Sequence, residues 1–217
     1  MLSQRFIKRL AAVLVLLVLA AGCASGPQSA EDAARGNVQT GPDGQAVMPQ
    51  DVPPRALTLY EQAVSSMAAG ETIDAELRFQ EFLLQYPGYA GAHVNLAIIF
   101  TERDDLQAAE NSLTDALILS PQHPAALNQL GLLLRRQGKF QEAAAAYTKA
   151  VTASPDYALA HYNLGVLNDL YLQRLDTALQ HYERYQQLVG DDQQVSKWIA
   201  DLKRRISATQ RTANVTG

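Results

Sequence analysis

The side chains with the widest chemical reach in this sequence are one cysteine, Cys23, and four histidines, His93, His123, His161 and His181. A single thiol closes no disulfide within the chain and supplies no thiolate cluster for a metal. Two carboxylate pairs, Asp104-Asp105 and Asp191-Asp192, have the spacing of acid–base partners. Both lie at junctions between helical stretches, where solvated capping explains them better. There is no GxGxxG, P-loop, HExxH, CxxC or GxSxG sequence, so the chain lacks the local patterns that cradle phosphates, bind zinc or present a nucleophile. The expectation is a protein with no catalytic residue, no metal and no cofactor: not an enzyme.

Composition narrows the remaining classes. Hydrophobic residues make up 47% of the 217 residues and charged residues 18%, so a packed core is within reach and a disordered polyelectrolyte is excluded. Ala, Leu and Gln are frequent, which favours helices. The net charge is −4. Without Arg5, Lys8 and Arg9, 15 basic residues face 22 acidic ones, a net of −7, and such a chain is ill suited to neutralising nucleic-acid phosphates.

Cys23 matters through its position. Arg5, Lys8 and Arg9 precede an uncharged, mostly aliphatic run from Leu10 to Ala21, which ends Leu19-Ala20-Ala21-Gly22-Cys23. About a dozen residues is short of the roughly 20 needed to cross a bilayer, and suits the apolar region of a secretory signal. This ending resembles the lipobox of bacterial lipoproteins. The resemblance implies cleavage after residue 22, diacylation of the Cys23 thiol and usually acylation of the new amino group. Ala20 stands where that family most often has Leu, a variant it tolerates. Ala24, rather than Asp, after the cysteine implies sorting to the outer membrane, facing the periplasm. Each buried CH₂ contributes about 0.8 kcal/mol, and two or more chains anchor stably where one does not.

Residues 24–54 are rich in Gly, Pro, Gln, Ser and Ala and show neither strand nor helix periodicity. With Cys23 they are expected to form a flexible linker over 23–54, with a root-mean-square span of about 30 Å and a limit near 100 Å.

Beyond it the sequence repeats every 34 residues. The clearest unit reads Leu127, Leu130-Gly131, Leu134, Gly138, Ala143, Tyr147, Ala150, Pro155. Stepping back by 34 finds His93, Leu96, Ala97, Phe100, Ala109, Leu113, Ala116 and Pro121, and again Leu59, Ala63, Gly70, Ala75, Phe79, Phe82 and Pro87. Stepping forward finds His161, Leu164, Gly165 and Asn168; one residue is then inserted before Ala178, Tyr182, Tyr185 and Gly190. This resembles the tetratricopeptide repeat (TPR) pattern, W-x₂-L-G-x₂-Y…A-x₃-F…P, over about 137 residues. The expectation is an all-α, right-handed superhelix of four helix hairpins at about 56–89, 90–123, 124–157 and 158–192, within a domain spanning 55–207. Small residues (Ala63, Ala97, Gly131, Gly165) are needed where helices pack closest, and the prolines stop each second helix. His93 and His161 share one repeat position that packs between helices, so they read as satisfied interhelix residues rather than metal ligands.

Val195, Trp198, Ile199, Leu202 and Ile206 share one face of a further helix, 193–207, read as a cap on the last repeat with Trp198 in the core. The tail 208–217 is expected to be disordered.

In TPR domains the first helices line a concave face that holds partner segments. Carried onto this sequence, the groove residues are Tyr60, Val64, Val94, Ile98, Asn128, Leu132, Arg135, Tyr162, Val166 and Asp169. Tyr60 and Tyr162 would supply rigid contact area, Asn128 a hydrogen bond to a ligand backbone, and Arg135 a pair with a carboxylate. Equally, Arg135 and Arg136 are solvated or pair with Glu102 and Asp169. Tyr60 and Val64 stand where carboxylate-clamp TPRs carry Lys and Asn, so that clamp is not expected. The implied function is a membrane-anchored scaffold or adaptor for protein or peptide partners of the cell envelope, accessory to a peptidoglycan hydrolase or a TonB-type system. The alternatives are a type IV pilus or secretin assembly lipoprotein and, in another class, a small-ligand or glycan-binding protein. A homo-oligomer, its groove filled by a neighbouring chain, also fits; nucleic acid does not.

Overall fold

A computed structural model of the chain describes residues 39–40, 46–47 and 53–216, with side chains from 53 to 211. The signal segment 1–22, Cys23 and the rest of the linker lie outside the described residues. Within the linker, β1 (Gln39–Thr40) pairs antiparallel with β2 (Ala46–Val47). The sequence reading had no strand there, because backbone pairing over two residues needs no apolar alternation.

Among the described residues, eight helices form four antiparallel hairpins: α1 (Pro54–Ala68) with α2 (Thr72–Gln85), α3 (Ala90–Glu102) with α4 (Leu106–Leu119), α5 (Pro124–Arg136) with α6 (Phe140–Ala153), and α7 (Ala158–Leu170) with α8 (Leu175–Val189). A ninth helix, α9 (Gln193–Thr216), closes the stack. The architecture is a right-handed α-superhelix of hairpins with a terminal cap. Among the described residues no helix is long and apolar enough to cross a membrane.

Each hairpin closes on one small residue. Gly131 lies under Tyr147 and Gly165 under Tyr182; a Cβ on either glycine would fall 2.4–2.5 Å from the ring. At the equivalent places in the first two hairpins, Ala63 shares a core cluster with Phe79, and Ala97 with Leu113. The four second-helix residues are all 0–1% exposed, so the size of the first-helix residue sets how closely the helices approach.

The turn inside each hairpin needs one left-handed residue: Gly70, Asp104, Gly138 and Gln173 have φ of 78°, 63°, 74° and 55°. Glycine takes this conformation without a Cβ penalty. Asp104 and Gln173 hold it with side-chain bonds, Asp104 accepting from Arg136 and Gln173 donating to the Asp169 carbonyl at 3.0 Å. The inserted residue of the last repeat falls in this turn, which spans 171–174 rather than three residues.

Between hairpins, caps replace helix continuation. His123 Nδ1 accepts from the Ala126 amide at 3.3 Å; inside the second hairpin, Asp105 Oδ1 likewise accepts from the Ala108 amide at 3.1 Å. Asp192 accepts from Gln194 and Val195 at 2.8 and 3.1 Å to start α9. Asp105 and Asp192 thus serve as caps, Asp104 as a turn residue and ion-pair partner, and Asp191 accepts from the Ser196 hydroxyl at 2.9 Å.

α9 differs from expectation in length, running to Thr216 where a disordered tail from 208 was read. No Gly or Pro interrupts 193–216. Beyond Ile206 the helix leaves the core, and Ser207, Thr209 and Arg211 side chains donate to carbonyls one turn back. The backbone ladder and good helix formers sustain it without tertiary burial.

Candidate protein-binding groove

The first helices α1, α3, α5 and α7 lie side by side, joined by side-chain rungs one repeat apart. Asn95 Nδ2 donates to the Tyr60 hydroxyl at 2.8 Å, and Asn163 Nδ2 to Asn128 Oδ1 at 2.9 Å. Arg136 donates to the Thr101 carbonyl and to Asp104. Arg205 on α9 donates to Asp169 at 2.7 Å, bridging 36 residues where Arg136 bridges 35. So α9 sits in the register of a fifth first helix, with Val195, Ile199 and Leu202 buried against α8. Stepping 35 from Gly165 reaches Ala200, the small residue of that register; it is exposed because no second helix follows.

Packing along this seam removes four expected residues from the accessible groove. Tyr60 is 8% exposed, its ring edge-on to Phe79 and Phe82 at 5.6 and 5.5 Å, and burial raises its hydroxyl pKa. Val94 is buried within the second core cluster. Asn128 is 2% exposed and spends its carbonyl on Asn163. Asp169 is 7% exposed and paired with Arg205. The physical reason is common to all four: adjacent first helices pack on one another, and these positions point along that seam.

Six expected residues stay partly accessible: Val64, Ile98, Leu132, Arg135, Tyr162 and Val166. Val64, Ile98, Leu132 and Val166 occupy the same place in successive first helices and form an aliphatic stripe. Tyr162 leans on Tyr185 and Trp198 at 5.3 and 6.0 Å, and Trp198 is half-buried beside Tyr182 at 5.5 Å.

Arg135 is distinctive. It is half-buried, yet among the described residues it has neither a hydrogen bond nor an ion pair, whereas Arg136 beside it is fully engaged. Tyr147, Tyr162 and Tyr182 surround it electrostatically. Burial raises each hydroxyl's pKa, that of Tyr147 to about 12, and the Arg135 charge opposes the rise in all three. The Tyr147 hydroxyl is buried with no hydrogen-bond partner among the described residues. A guanidinium in partly desolvated surroundings with no carboxylate beside it keeps its donors unspent.

The histidines are structural except for one unexpected pairing. His93 Nδ1 approaches Asp115 at 3.8 Å. His161 Nε2 lies 3.0 Å from the Pro155 carbonyl and its Nδ1 3.1 Å from His181 Nδ1. The carbonyl requires a proton on His161 Nε2, so in the neutral pair His181 Nδ1 is the donor. No sequence spacing signalled His181, because the pair spans a hairpin rather than a repeat.

A family model described as TPR repeat matches residues 131–168, and one described as tetratricopeptide repeat matches 60–126. Residues 60–126 and 131–168 thus carry tetratricopeptide repeats. No curated protein matches it. Among solved structures, the Pseudomonas aeruginosa PilF structure superposes with a TM-score of 0.63 at 24% identity, covering 72% of each chain. A thermophilic TPR protein of Thermus thermophilus gives 0.59 at 24%, over 71% of this chain and 82% of that one. The first TPR of Spaghetti (RPAP3), bound to the HSP90 peptide SRMEEVD, gives 0.51 at 19%, over 54% and 95%. These likenesses bear on the fold. The TPR superhelix is a scaffold for protein–protein contact, and here its first-helix face presents an aliphatic stripe beside an unpaired arginine.

Proposed function

We propose that this chain is a membrane-anchored TPR adaptor of the bacterial envelope that acts by binding rather than by catalysis. Lipid on Cys23 holds it at the outer membrane facing the periplasm, the linker gives it reach, and the first-helix face binds a segment of another envelope protein. It serves as accessory factor to an envelope complex of the hydrolase-adaptor or TonB-type class. The observation that carries the binding role is Arg135, half-buried without an anion beside the stripe of Val64, Ile98, Leu132 and Val166. A partner segment that fits places aliphatic side chains on the stripe and a carboxylate on the guanidinium. The Spaghetti complex, a TPR bound to the HSP90 peptide SRMEEVD, is a case of this fold holding a peptide that contains acidic residues.

The test uses a photo-crosslinking residue at Leu132, with Thr148 on the solvent side of α6 as control, in cells expressing the full chain. A discrete adduct from position 132, absent from 148 and reduced at least tenfold by Arg135→Glu, is expected; tenfold corresponds to about 1.4 kcal/mol. Equal adducts from the two positions, or indifference to Arg135→Glu, would reject the groove as the binding surface.

A further inference from the structure

Among the described residues, Tyr147 carries the one buried hydroxyl without a hydrogen-bond partner. Its repeat equivalents in the first two hairpins, Phe79 and Leu113, have no hydroxyl, so packing against the first helix does not require one. A buried donor left unbonded costs stability and calls for an acceptor from outside the folded chain. The hydroxyl lies toward Arg135. Tyr147 packs on Gly131, and Arg135 follows one turn further along α5 on the same face. Side chains of α6 lean toward its N-terminus. Because α6 runs antiparallel to α5, that lean carries the phenol toward the C-terminal end of α5, where Arg135 stands. The Arg135 charge acts on this hydroxyl against the effect of burial, the Tyr171 phenol acts with it, and no carboxylate is among the groups that do. The acidic residues of the neighbouring first helices and turns are engaged or solvated: Asp169 pairs with Arg205 at 2.7 Å, Asp104 with Arg136 at 3.1 Å, and Glu102 is exposed.

We infer that Tyr147 is the second donor for the partner carboxylate that Arg135 receives. Arg135 is held by no hydrogen bond or ion pair among the described residues, so its side chain is free to turn outward and uncover the hydroxyl. One carboxylate oxygen then accepts from the guanidinium and the other from the Tyr147 hydroxyl, an arrangement of charge-assisted bonds. The phenol, its pKa pushed up to about 12, stays protonated and no proton moves. A single unspent cation near Glu102, Asp104 and Asp169 suits a monoanion. A phosphate monoester, with about −1.5 to −2 charges, would leave excess negative charge beside those carboxylates. The inference rests on the first-helix face being the binding surface. It adds that the ligand is a monocarboxylate bearing an aliphatic group, bonded by one charged and one neutral donor.

The test titrates N-acetyl-leucine into the purified full chain and follows the Arg135 Nε–H and Tyr147 hydroxyl protons by NMR. Both signals should move together and saturate, while the neutral N-acetyl-leucinamide moves neither. Tyr147→Phe should weaken the probe by roughly fivefold or more. It should not lower the circular-dichroism melt, because it removes no bond of the free protein. Tyr182→Phe, the same change one repeat on, should leave the affinity unchanged. The inference is overturned by signals that the probe leaves unmoved, by equal affinity in Tyr147→Phe, by equal weakening in Tyr182→Phe, by a lower melt of Tyr147→Phe, or by inorganic phosphate moving both signals at lower concentration than the probe. Cross-linking from Leu132 separates this inference from the adaptor reading. An adduct sensitive to Arg135→Glu but not to Tyr147→Phe removes the hydroxyl and keeps the adaptor. No adduct, with Tyr147-dependent probe binding intact, keeps the carboxylate site and removes the adaptor.

Discussion

Tyr147 packs against the bare Cα of Gly131 so closely that a Cβ there would sit 2.5 Å from Cδ1 and Cε1 of the ring. The ring is fully buried and has no room to withdraw. Gly131→Ala gains about 1 kcal/mol of helix propensity but forces an overlap whose relief costs about 1–3 kcal/mol. Gly131→Val should therefore destabilise strongly and Gly131→Ala by about 1–2 kcal/mol in urea unfolding. Gly88→Ala, with nothing within 4 Å, should change stability by less than about 0.5 kcal/mol. Equal behaviour of positions 131 and 88 would show that the approach is looser than described.

Arg205 is the partner of the buried Asp169 carboxylate. Removing it leaves a desolvated charge uncompensated, whereas Arg204 pairs with Asp201 at the surface, where ion pairs contribute little. Arg205→Ala should lower stability by about 2 kcal/mol and Arg204→Ala by less than about 0.5 kcal/mol. If the two variants melt alike, α9 is not held in the register of a fifth first helix.

Tyr60 belongs to the core rather than to the accessible groove. Tyr60→Ala should cost about 3–5 kcal/mol through the cavity it leaves, with Tyr60→Phe losing about 1 kcal/mol as Asn95 loses an acceptor. Leu132→Glu, at a half-buried groove position, should weaken partner capture with little effect on the melt. A Tyr60→Ala protein of wild-type stability would contradict the packing.

Burial lowers the pKa of His123 and of His181 to about 4 and lowers that of His161 as well; the neighbouring ring adds to the effect at His181. Because the folded values lie below the unfolded value of about 6.5, the unfolded chain takes up these protons first. The associated stability is complete above pH 6.5 and is lost as pH falls toward 4. Fully buried His123 accounts for about 3 kcal/mol of that loss. His123→Asn keeps an acceptor for the Ala126 amide without titrating, so urea unfolding between pH 7.5 and 4.5 should show a shallower decline for it than for wild type. Superimposable profiles would remove His123 from the account.

The proposed anchor rests on Cys23 alone. Cys23→Ser should move the full chain out of the membrane fraction and abolish metabolic labelling with palmitate. Continued membrane association of the unlabelled variant would sink the lipid anchor.

Much of the fold was legible because a solenoid repeats its contacts. Ala63, Ala97, Gly131 and Gly165 recur at one spacing because each hairpin must close on a small residue, so the 34-residue period revealed the repeats and the TPR resemblance they carry implied the hairpins. The groove was less legible. Repeat position places a residue on the first helix but does not say whether it faces solvent or the neighbouring first helix. Tyr60 and Asn128 share a repeat position with Val94 and Tyr162, and three of those four turn out to be buried. The partner of each depends on the residue one place further along in the next repeat: Asn95 and Asn163 reach back with hydrogen bonds, while Gln129 makes none with Val94.

The sequence by itself determined the helical class, the repeat length, the small residues at the close approaches, the inserted residue in the last unit and the lipobox-like end of the apolar leader. All of these follow from local spacing along the chain. Only the tertiary structure decided which arginine is free. Arg135 and Arg136 are adjacent in sequence and equal in chemistry, but one helical step turns Arg136 toward Thr101 and Asp104 and leaves Arg135 without an anion among the described residues. It likewise claimed Asp169 for Arg205 and joined His161 to His181. These contacts link residues on different helices, and their geometry depends on how helices cross rather than on how residues are spaced.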